Sequence, residues 1–469
     1  MSGMNLSLLQ ALGWLTDARL TGAADASVVS VDRVHTDSRS LQAGDLFVAL
    51  RGERFDGSQF IAQAKTQGAV AVVCDASGEA MALANGLPAL VVPDARVALG
   101  ELAAGWRTRF DLPLIAVTGS NGKTTVTQMV ASILRAHAGD AALATQGNLN
   151  NDIGVPLTLL RLRQHHRLAV LELGMNHPGE IAQLAAWAQP QVALVNNAQR
   201  EHQEFMHSVR AVAQENGAVL RALARDGVAV FPADDAHTLI WQELAGDRTV
   251  LTFGVHGDVR AERGTRTELG WTGHMVCPAR GVGFDFELAM PGEHNLRNAM
   301  AATACALSVD VPVQAIAQGL AHFQPVAGRS QAQSLIRGGQ KITLIDDTYN
   351  ANPDSVRAAI DVLAQMAAPR VLVLGDMGEV GDQGPAFHAE VGRYARERGI
   401  EHLLTLGQQA ALAAQAHGHA GHHEAIESLC AELDRLCTQA RSVLVKGSRF
   451  MKMERVVRHL QASQEPATC

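Results

Sequence analysis

The chain has 469 residues, a length that predicts two to four domains at about 150 residues each. Hydrophobic residues make up 47% and charged residues 18%, a mixture that excludes a mainly disordered chain. The formal net charge of -8 argues against a general nucleic-acid binder, because such proteins need a broad basic surface.

The sequence gives no sign of a membrane or secreted protein. No apolar run approaches the roughly 18 residues that a membrane helix needs. The first residues lack the basic stretch and apolar core of a signal peptide. The six cysteines are scattered and form no CxxC pair, so we expect neither a disulfide framework nor a zinc site. These features predict a cytoplasmic protein with no membrane span.

Short apolar runs that end in glycine or a polar turn recur along the chain. Each has the length of a strand, and a helix-like stretch follows it, for example at 95–109, 124–137, 180–188 and 298–307. The runs are AVAVVCDAS, LPALVVPDA, LPLIAVTGS, RLAVLELGM, QVALVNNA, RVLVLGDMG and HLLTLG. Strands buried on both faces of a parallel sheet have this pattern, and a core with only 4% aromatic residues suits it. The predicted fold class is α/β with mostly parallel sheets.

Two breaks divide the chain into three predicted domains. Pro93–Asp94 precedes a helix, which places a first boundary near residue 92. The Pro- and Gly-containing stretch 323–329 predicts a linker near residue 327. The domains would then cover 1–92, 93–327 and 328–469. Residues from about 250 to 290 alternate polar and apolar side chains and predict antiparallel strands inserted in the middle domain.

The stretch from Leu114 to Thr125, LIAVTGSNGKTT, predicts a phosphate-binding loop between a strand and a helix. In such a loop the backbone N–H groups hold phosphate oxygens, Lys123 reaches the terminal phosphates and the Thr124 hydroxyl ligates Mg²⁺. The usual spacing puts glycine where this chain has Val117, so the loop is a shortened form. A chance Gly-Lys-Thr turn is the alternative, and the strand before and helix after the loop disfavour it.

Two further features follow the loop in the sequence. Asn148, Asn150 and Asn151 lie in the run GNLNNDIG, which is either a capping loop or a polar lining for substrate. Glu172 ends the strand LAVLELG, at the carboxyl edge where open α/β sheets bind ligands. A buried carboxylate needs a cation, so Glu172 holds either a structural salt bridge or Mg²⁺. His202 is either a second metal ligand or a surface histidine.

Seven motifs occur in an order that identifies a family resemblance. They are TGSNGKTT, GNLNNDIG, ELGMNHPGEI, PGEHNLRNAMAA, DDTYNANPDS, GDMGEVG and LVKGSR. The chain resembles the Mur ligases from about residue 31 to residue 460. DDTYNANPDS and GNLNNDIG match the member that adds D-alanyl-D-alanine to a UDP-N-acetylmuramoyl-tripeptide. The Asp-Asn-Pro-Arg signature of the ligase that adds diaminopimelate or lysine is absent.

The resemblance implies an N-terminal domain for the UDP-substrate, a central P-loop ATPase domain and a C-terminal Rossmann-like domain. It implies catalytic and metal-binding roles for Lys123, Thr124, Glu172 and His202. The implied ATP-binding residues are Gly119, Ser120, Asn121, Gly122, Lys123, Thr124, Thr125, Asn295, Asn298, Arg329 and Asp347. The implied substrate-binding residues are Ser38, Arg39, Asp56, Asn148, Asn150, Asn151, Tyr349, Asn350, Asn352, Lys446 and Ser448.

The resemblance also implies a reaction. The terminal carboxylate of the tripeptide attacks the γ-phosphate of ATP, and the amine of D-alanyl-D-alanine then attacks the acyl phosphate. Lys123 and Mg²⁺ would offset the repulsion between the two anions. ATP and Mg²⁺ are thus the implied cofactors. The implied partners are the two peptide substrates, with no nucleic acid, and a monomer is expected.

One position departs from the family pattern. Many Mur ligases carry a carbamylated lysine that bridges a second metal, and Asn216 stands at the matching place. No lysine occurs between Lys123 and Lys341, which excludes a carbamate in the central domain. Our hypothesis is that Asn216 or Glu215 substitutes as a weaker ligand or through water.

Other features carry less weight. The histidines in 417–423 suggest a solvated loop rather than a metal site, and Cys430 and Cys437 suggest core positions on a helix. Two alternative functions stay open. One is a folate-polyglutamate or cyanophycin-type amide ligase. The first-domain motifs HTDSR (35–39) and GERFDG (52–57), which match substrate motifs of the Mur ligases, disfavour it. The other is a P-loop switch protein, which the lack of a Walker-B-like aspartate at a strand end disfavours.

Overall fold

The computed structural model describes residues 3–22, 25–52, 55–201, 203–337 and 339–462. Its first region contains the strands β1 (Leu6–Ser7), β2 (Arg19–Thr21), β3 (Ser30–Val31), β4 (Arg33–His35), β5 (Asp45–Val48), β6 (Ala71–Cys74) and β7 (Ala89–Val91). Its helices are α1 (Leu8–Leu12), α2 (Ile61–Thr66) and α3 (Glu79–Ala84). The main sheet has the order β2-β7-β6-β5-β4, parallel except for β2, and β1 pairs with β3.

The middle region is built on a parallel six-stranded sheet. The strands are β8 (Leu114–Thr118), β9 (Ala142–Ala144), β10 (Leu168–Glu172), β11 (Val192–Val195), β12 (Val228–Pro232) and β13 (Thr249–Phe253). The helices are α4 (Ala95–Arg107), α5 (Lys123–Ala138), α6 (Gly154–Leu159), α7 (Glu180–Ala188), α8 (Gln203–Met206), α9 (Val209–Arg221), α10 (Thr238–Ala245), α11 (Glu293–Leu307) and α12 (Val313–Ala321). The strand order is β13-β12-β11-β8-β10-β9, so β8 lies between β11 and β10.

Alternate residues of β8 explain why this sheet is buried on both faces. Leu114 and Ala116 pack into one hydrophobic core with α4, α6 and α7. Ile115 and Val117 pack into a second core with α5, α11 and α12. Successive side chains of a strand point to opposite faces, so a continuous apolar run fills both cores.

A small antiparallel sheet follows β13. Its strands are β14 (Arg260–Ala261), β15 (Thr265–Arg266), β16 (Trp271–Cys277) and β17 (Val282–Leu288), with β16 paired to the other three. The predicted antiparallel insertion is therefore confirmed from residue 260 onwards. The prediction is wrong for Thr249–Phe253, because that strand extends the parallel sheet.

The last region holds a six-stranded sheet in the order β18-β19-β23-β20-β21-β22, parallel except for β18. The strands are β18 (Gln331–Arg337), β19 (Gln340–Asp347), β20 (Arg370–Gly375), β21 (His402–Leu406), β22 (Ala420–His423) and β23 (Ser442–Lys446). The helices are α13 (Pro353–Ala364), α14 (Gly384–Glu397), α15 (Ala410–His417), α16 (Ile426–Cys437) and α17 (Glu454–Ala462).

The predicted α/β class is confirmed, and each of the seven apolar runs contains a strand. Cys430 and Cys437 are buried on α16, as expected. The expected solvated histidine loop is wrong, because His417 ends α15 with its side chain buried and hydrogen-bonded to the Ile400 carbonyl. Among the helices of the described ranges, none combines the length and apolarity needed to cross a membrane.

Arg107 joins α4 to the central sheet and allows a stability prediction. Its buried guanidinium donates to the carbonyls of Ala188, Phe110 and Leu112. Arg107→Met would leave these acceptors without their donor, at about 1–3 kcal/mol for each buried group. We expect a loss of about 3 kcal/mol in unfolding free energy, or about 6–12 °C in melting temperature by calorimetry.

The control for this variant is Arg109→Met, two residues further along the chain. The Arg109 side chain is exposed, and its guanidinium lies 5.0 Å from the centre of the Trp106 ring. An exposed cation–π contact contributes about 0.5–1 kcal/mol, so the control should shift the melting temperature far less. Equal shifts in the two variants would contradict the role of the buried hydrogen bonds.

Candidate functional site

The site begins with the loop between β8 and α5. Gly119 and Gly122 have φ angles of 132° and 85°, which favour glycine. A Cβ on Gly122 would lie 2.7 Å from side-chain atoms of Asn196 and Asn298. Because α5 starts at Lys123, the loop directs the N-terminus of a 16-residue helix to the cavity. Such an end binds phosphate through its free N–H groups.

Asparagine side chains outside this loop hold it in place through hydrogen bonds. The Asn196 and Asn197 side chains donate to the backbone carbonyl of Asn121 at 2.8 and 2.9 Å. The Asn121 N–H donates to Asn197 Oδ1 at 2.9 Å. Asn196 also donates to Asn298, which donates to Asn295 Oδ1. Asn295 and Asn298 thus border the cavity and also brace the loop.

Lys123 is half-buried at the start of α5. Its ammonium donates to the carbonyls of Gly119 and Ser120 at 2.7 and 3.0 Å. It also forms an ion pair with Glu201 Oε2 at 3.2 Å. The side chains of Lys123 and Glu201 are 15% and 7% exposed, and both line the cavity. A phosphate entering the cavity would therefore meet this ammonium together with a carboxylate.

Thr124 and Glu172 are the predicted metal ligands that the structure describes. Thr124 Oγ1 and Glu172 Oε2 are buried oxygens with no hydrogen-bond partner, in side chains that line the cavity. The other Glu172 oxygen accepts a hydrogen bond from Asn150 Nδ2 at 2.8 Å. One hydroxyl and one carboxylate oxygen suit Mg²⁺, which takes few protein ligands beside phosphates and waters.

The third predicted ligand, His202, lies outside the described residues. Across the ranges that the structure describes, no group of three or more His, Cys, Asp or Glu side chains is placed to hold a metal ion. The fit to Mg²⁺ therefore depends on the two partnerless oxygens of Thr124 and Glu172.

The loop 148–151 caps a helix, one of the two expected roles, and its asparagines also line the cavity. Asn151 Oδ1 caps α6 by accepting a hydrogen bond from the Gly154 N–H at 2.9 Å. Asn150 orients Glu172, and its side chain also contacts Asn148 Oδ1 at 3.3 Å. All three asparagines line the cavity.

The last region supplies the opposite wall of the cavity. Lys446 is buried and pairs with Asp347 Oδ2 at 2.5 Å, and it also donates to the Asn350 carbonyl at 3.0 Å. The Arg329 guanidinium lies 4.0 Å from the centre of the Tyr349 ring. Each of these five residues lines the cavity.

Two other predicted residues of this region, Asn352 and Ser448, differ from each other in placement, because only Asn352 lines the cavity. Asn352 caps α13 and donates to Asn121 Oδ1 at 2.9 Å, which joins the phosphate loop to the C-terminal region. The Ser448 hydroxyl is buried and donates to the Asp376 carbonyl at 2.6 Å. Ser448 is not part of the cavity wall, because that hydrogen bond turns it towards the adjacent loop.

The three predicted residues of the first region lie away from this cavity. The Ser38 hydroxyl donates to Gln63 Oε1 at 3.1 Å. Arg39 is exposed and pairs with Asp37, and this hydrogen bond holds the pKa of the Asp37 carboxyl well below its usual range. Asp56 caps the short 3-10 helix that follows it.

Asn216 has a different place from the one expected of a metal ligand. Its Oδ1 accepts hydrogen bonds from Thr118 Oγ1 at 2.7 Å and from the Gly119 N–H at 3.1 Å. Glu215 accepts from the Ile181 N–H at 3.0 Å. Neither side chain lines the cavity, so the expectation that one of them ligates a metal is not supported. Asn216 instead fixes the exit of β8 into the phosphate loop.

Several residues of the site were not predicted from the sequence. Asn196 and Asn197 follow β11 at the carboxyl edge, and the rule that selected Glu172 could have found them. Arg200 and Glu201, which begin three residues after Asn197, were also not predicted. His294 is half-buried beside the cavity, where burial lowers the pKa of its imidazole.

The cavity encloses about 2020 Å³ and lies at the carboxyl ends of β8, β10 and β11, closed on one side by the last region. Its phosphate loop and three successive α/β regions define a P-loop nucleotide-binding protein of three-domain build. Family models match in the same order. They are the Mur ligase family catalytic domain at 30–107, the Mur ligase middle domain at 117–306 and the Mur ligase glutamate ligase domain at 328–449.

The chain belongs to the Mur ligase family. It is 42% identical to UDP-N-acetylmuramoyl-tripeptide–D-alanyl-D-alanine ligase of Escherichia coli K12, over 98% of this chain and 99% of the relative. The ligase of the same name from Haemophilus influenzae is 39% identical, over 98% and 99%. The crystal structure of MurF from Acinetobacter baumannii is 34% identical with a TM-score of 0.90, covering 98% of this chain and all of that one.

Proposed function

We propose that the chain is an ATP-dependent ligase that joins D-alanyl-D-alanine to UDP-N-acetylmuramoyl-tripeptide. The products are UDP-N-acetylmuramoyl-pentapeptide, a peptidoglycan precursor, with ADP and phosphate. The observation that carries the proposal is the shared cavity, in which Lys123 of the phosphate loop faces polar side chains of the C-terminal region. Its volume of about 2020 Å³ exceeds the roughly 300–1,000 Å³ of a single small-ligand site.

The residues divide the first step between them. The tripeptide carboxylate and the γ-phosphate are both anions, so their approach needs fixed positive charge. Lys123 supplies it, and the N–H groups from Gly122 to Thr125 hold the phosphate oxygens. The N–H groups of Gly119, Ser120 and Asn121 already donate to Asn216 and Asn197 and shape the loop instead. Thr124 and Glu172 would hold Mg²⁺, which supplies further charge neutralisation when bound.

The second step takes place against the C-terminal wall. The amine of D-alanyl-D-alanine attacks the acyl carbon and phosphate leaves. Tyr349, Asn350 and Asn352 position the incoming dipeptide, and Lys446 fixes Asn350 and Asp347. Arg329 and Asp347 contact the nucleotide. Closure of this wall excludes water, which would hydrolyse the acyl phosphate.

The remaining assignments extend the same proposal. Ser38, Arg39 and Asp56 bind the UDP-sugar in a domain of residues 1–92, and the separate first sheet supports this division. The other domains cover 93–327 and 328–469. A monomer is sufficient, since one chain supplies both walls of the cavity. Five free, buried cysteines among the described residues agree with a reducing cytoplasm.

The experiment that tests the proposal measures phosphate release from ATP with UDP-N-acetylmuramoyl-tripeptide, with and without D-alanyl-D-alanine. We expect release to need both substrates and the UDP-pentapeptide to appear by mass spectrometry. Release that is indifferent to the dipeptide would leave an ATPase core with a wrong acceptor. No release with either substrate would overturn the ligase assignment.

Removing the Glu172 charge tests the metal site. In Glu172→Gln the amide can still accept from Asn150, but the buried negative charge is lost. We expect the Mg²⁺ concentration for half-maximal rate to rise by about tenfold or more, since mutating even a residue that only orients a metal ligand costs about 10–100-fold in metal affinity. Calorimetry of ADP binding with and without Mg²⁺ gives an independent measurement.

The matched control is Glu293→Gln, which removes an exposed carboxylate from the lining of the same cavity. It should leave the Mg²⁺ dependence close to that of the unmodified protein. If both variants shift equally, general charge in the cavity is responsible and Glu172 has no specific role.

A further inference from the structure

The segment from Gln199 to Glu201 lies between the phosphate loop and the C-terminal domain. Two of its residues contact the loop. The Gln199 N–H donates to Ser120 Oγ at 2.8 Å, and Gln199 Oε1 accepts from Asn121 Nδ2 at 2.6 Å. Glu201 pairs with Lys123 at 3.2 Å.

The residue between them points the other way. Arg200 donates to both oxygens of Asp354, at 2.6 Å for the shortest contact, and to Glu390 at 2.8 Å. The Arg200 N–H also donates to Asp354 Oδ2 at 2.8 Å. Asp354 lies on α13 and Glu390 on α14, so one arginine holds two helices of the C-terminal domain.

The charges in this contact are only partly accessible to water. The side chains of Arg200, Asp354 and Glu390 are 23%, 22% and 28% exposed. The Phe387 ring lies 5.1 Å from the guanidinium. Hydrogen bonding to Glu390 and Asp354 raises the pKa of Arg200, and hydrogen bonding to Arg200 lowers the pKa of Glu390. Charged fork-like contacts of this kind are directional as well as strong.

A tight turn explains how the segment can link two partners. The Glu201 N–H donates to the Gln199 carbonyl at 2.9 Å, so Arg200 is the central residue of a three-residue turn. Gln199 and Glu201, on either side of the turn, reach the phosphate loop, while Arg200 reaches the C-terminal domain. A change in the seating of the C-terminal domain on Arg200 would move Glu201 relative to the Lys123 ammonium.

We propose that Arg200 is a positioning residue that couples the docking of the C-terminal domain to the phosphate-loop lysine through Glu201. The proposal rests on the ligase function proposed above. With the domain docked, Arg200 fixes the segment and Glu201 holds the Lys123 side chain in the cavity wall. Without the Arg200 contacts, the position of Glu201 no longer depends on the position of the C-terminal domain.

The test is a double-mutant cycle of Arg200→Ala and Glu201→Gln in the full-length protein, with kcat and the KM of each substrate measured. We expect Arg200→Ala to lower kcat by about thirtyfold, with ADP affinity within about threefold of the unmodified protein. In the Glu201→Gln background the same change should lower kcat by less than about threefold, since interacting residues are non-additive. Arg200→Lys should recover part of the loss, because it keeps the charge without the fork.

The matched control is Arg266→Ala, which removes another arginine contact between the same two domains. Arg266 donates to the side chain and the carbonyl of Gln365 and has no contact with the phosphate loop. Its effect should be the same with and without Glu201→Gln. Equal effects of Arg200→Ala in both backgrounds would overturn the coupling, because Arg200 would then only hold the domains together.

The unmodified protein separates this outcome from failure of the function itself. If it forms no UDP-pentapeptide, the ligase assignment fails. If it is active and the Arg200 cycle is additive, the coupling alone fails. Calorimetric ADP binding shows whether each variant keeps a folded phosphate loop, so a loss of kcat through misfolding is recognised and the Arg200→Lys and Glu201→Gln variants then carry the comparison.

Discussion

Replacing Lys123 by alanine is expected to lower the rate of ligation by about a thousandfold, the upper range for loss of one preorganised charge. The ammonium is the positive charge at the start of α5, where the phosphates would lie. Its removal also takes away the cation beside Glu201, whose carboxylate would then repel the nucleotide. We therefore expect both kcat and ADP affinity to fall, as measured by product formation and calorimetry.

The repulsion between the Glu201 carboxylate and the nucleotide can be tested separately from the loss of the ammonium. The double variant Lys123→Ala/Glu201→Gln should bind ADP more tightly than Lys123→Ala, because the repelling charge is gone, while ligation stays low. Lys341→Ala is the control, since Lys341 is an exposed lysine that pairs with Glu268. Unchanged ligation in Lys123→Ala would contradict the assignment of the phosphate loop.

The fold could be predicted from the sequence to a large extent because its signals are local. Each buried parallel strand is a short apolar run, and β8 fills two cores with alternate residues. Prediction was wrong where a local pattern has two meanings. The run at Thr249–Phe253 alternates like a hairpin strand, yet it is the edge of the parallel sheet. His417 is a polar residue, which predicts exposure, yet its side chain is buried and its ring is hydrogen-bonded to the Ile400 carbonyl.

The candidate site was predictable where its residues end strands of the central sheet. Strand ends meet at one edge, so the phosphate loop that follows β8 and Glu172 at the end of β10 share a cavity. Asn196 and Asn197 follow the end of β11 at the same edge and were predictable in the same way. Asn150 shows a further limit, because its contact with Glu172 depends on how the loop folds back.

Contacts between distant segments could not be predicted from one sequence. Asn216 bonds to Thr118 from 98 residues away, and nothing local shows that its oxygen is already used. Arg200 meets Asp354 across 154 residues, a contact that exists only through the seating of one domain on another. Ser448 was carried over by motif, but its neighbour Asp376 turns it from the cavity.

Lys446→Met is expected to have the second large effect, on stability and on activity together. Lys446 and Asp347 are register partners on β23 and β19, and the side chain of Lys446 is 4% exposed. Removing one partner of a buried ion pair costs about 3–5 kcal/mol, and the lower end applies here because the Asp347 side chain that remains is 15% exposed. We expect a lower melting temperature by calorimetry and a fall in kcat of about a hundredfold, since the Asn350 carbonyl loses its donor.

The double variant Lys446→Met/Asp347→Asn distinguishes the two roles of this pair. Replacing both charges removes the buried carboxylate, and buried pairs can be exchanged for neutral groups at little cost in stability. The melting temperature should therefore recover, while ligation stays low because no ammonium holds Asn350 at the cavity wall. Recovery of both would mean that the pair only stabilises the sheet. Recovery of neither would mean that the Lys446 ammonium is needed by the fold itself, beyond its contact with Asp347.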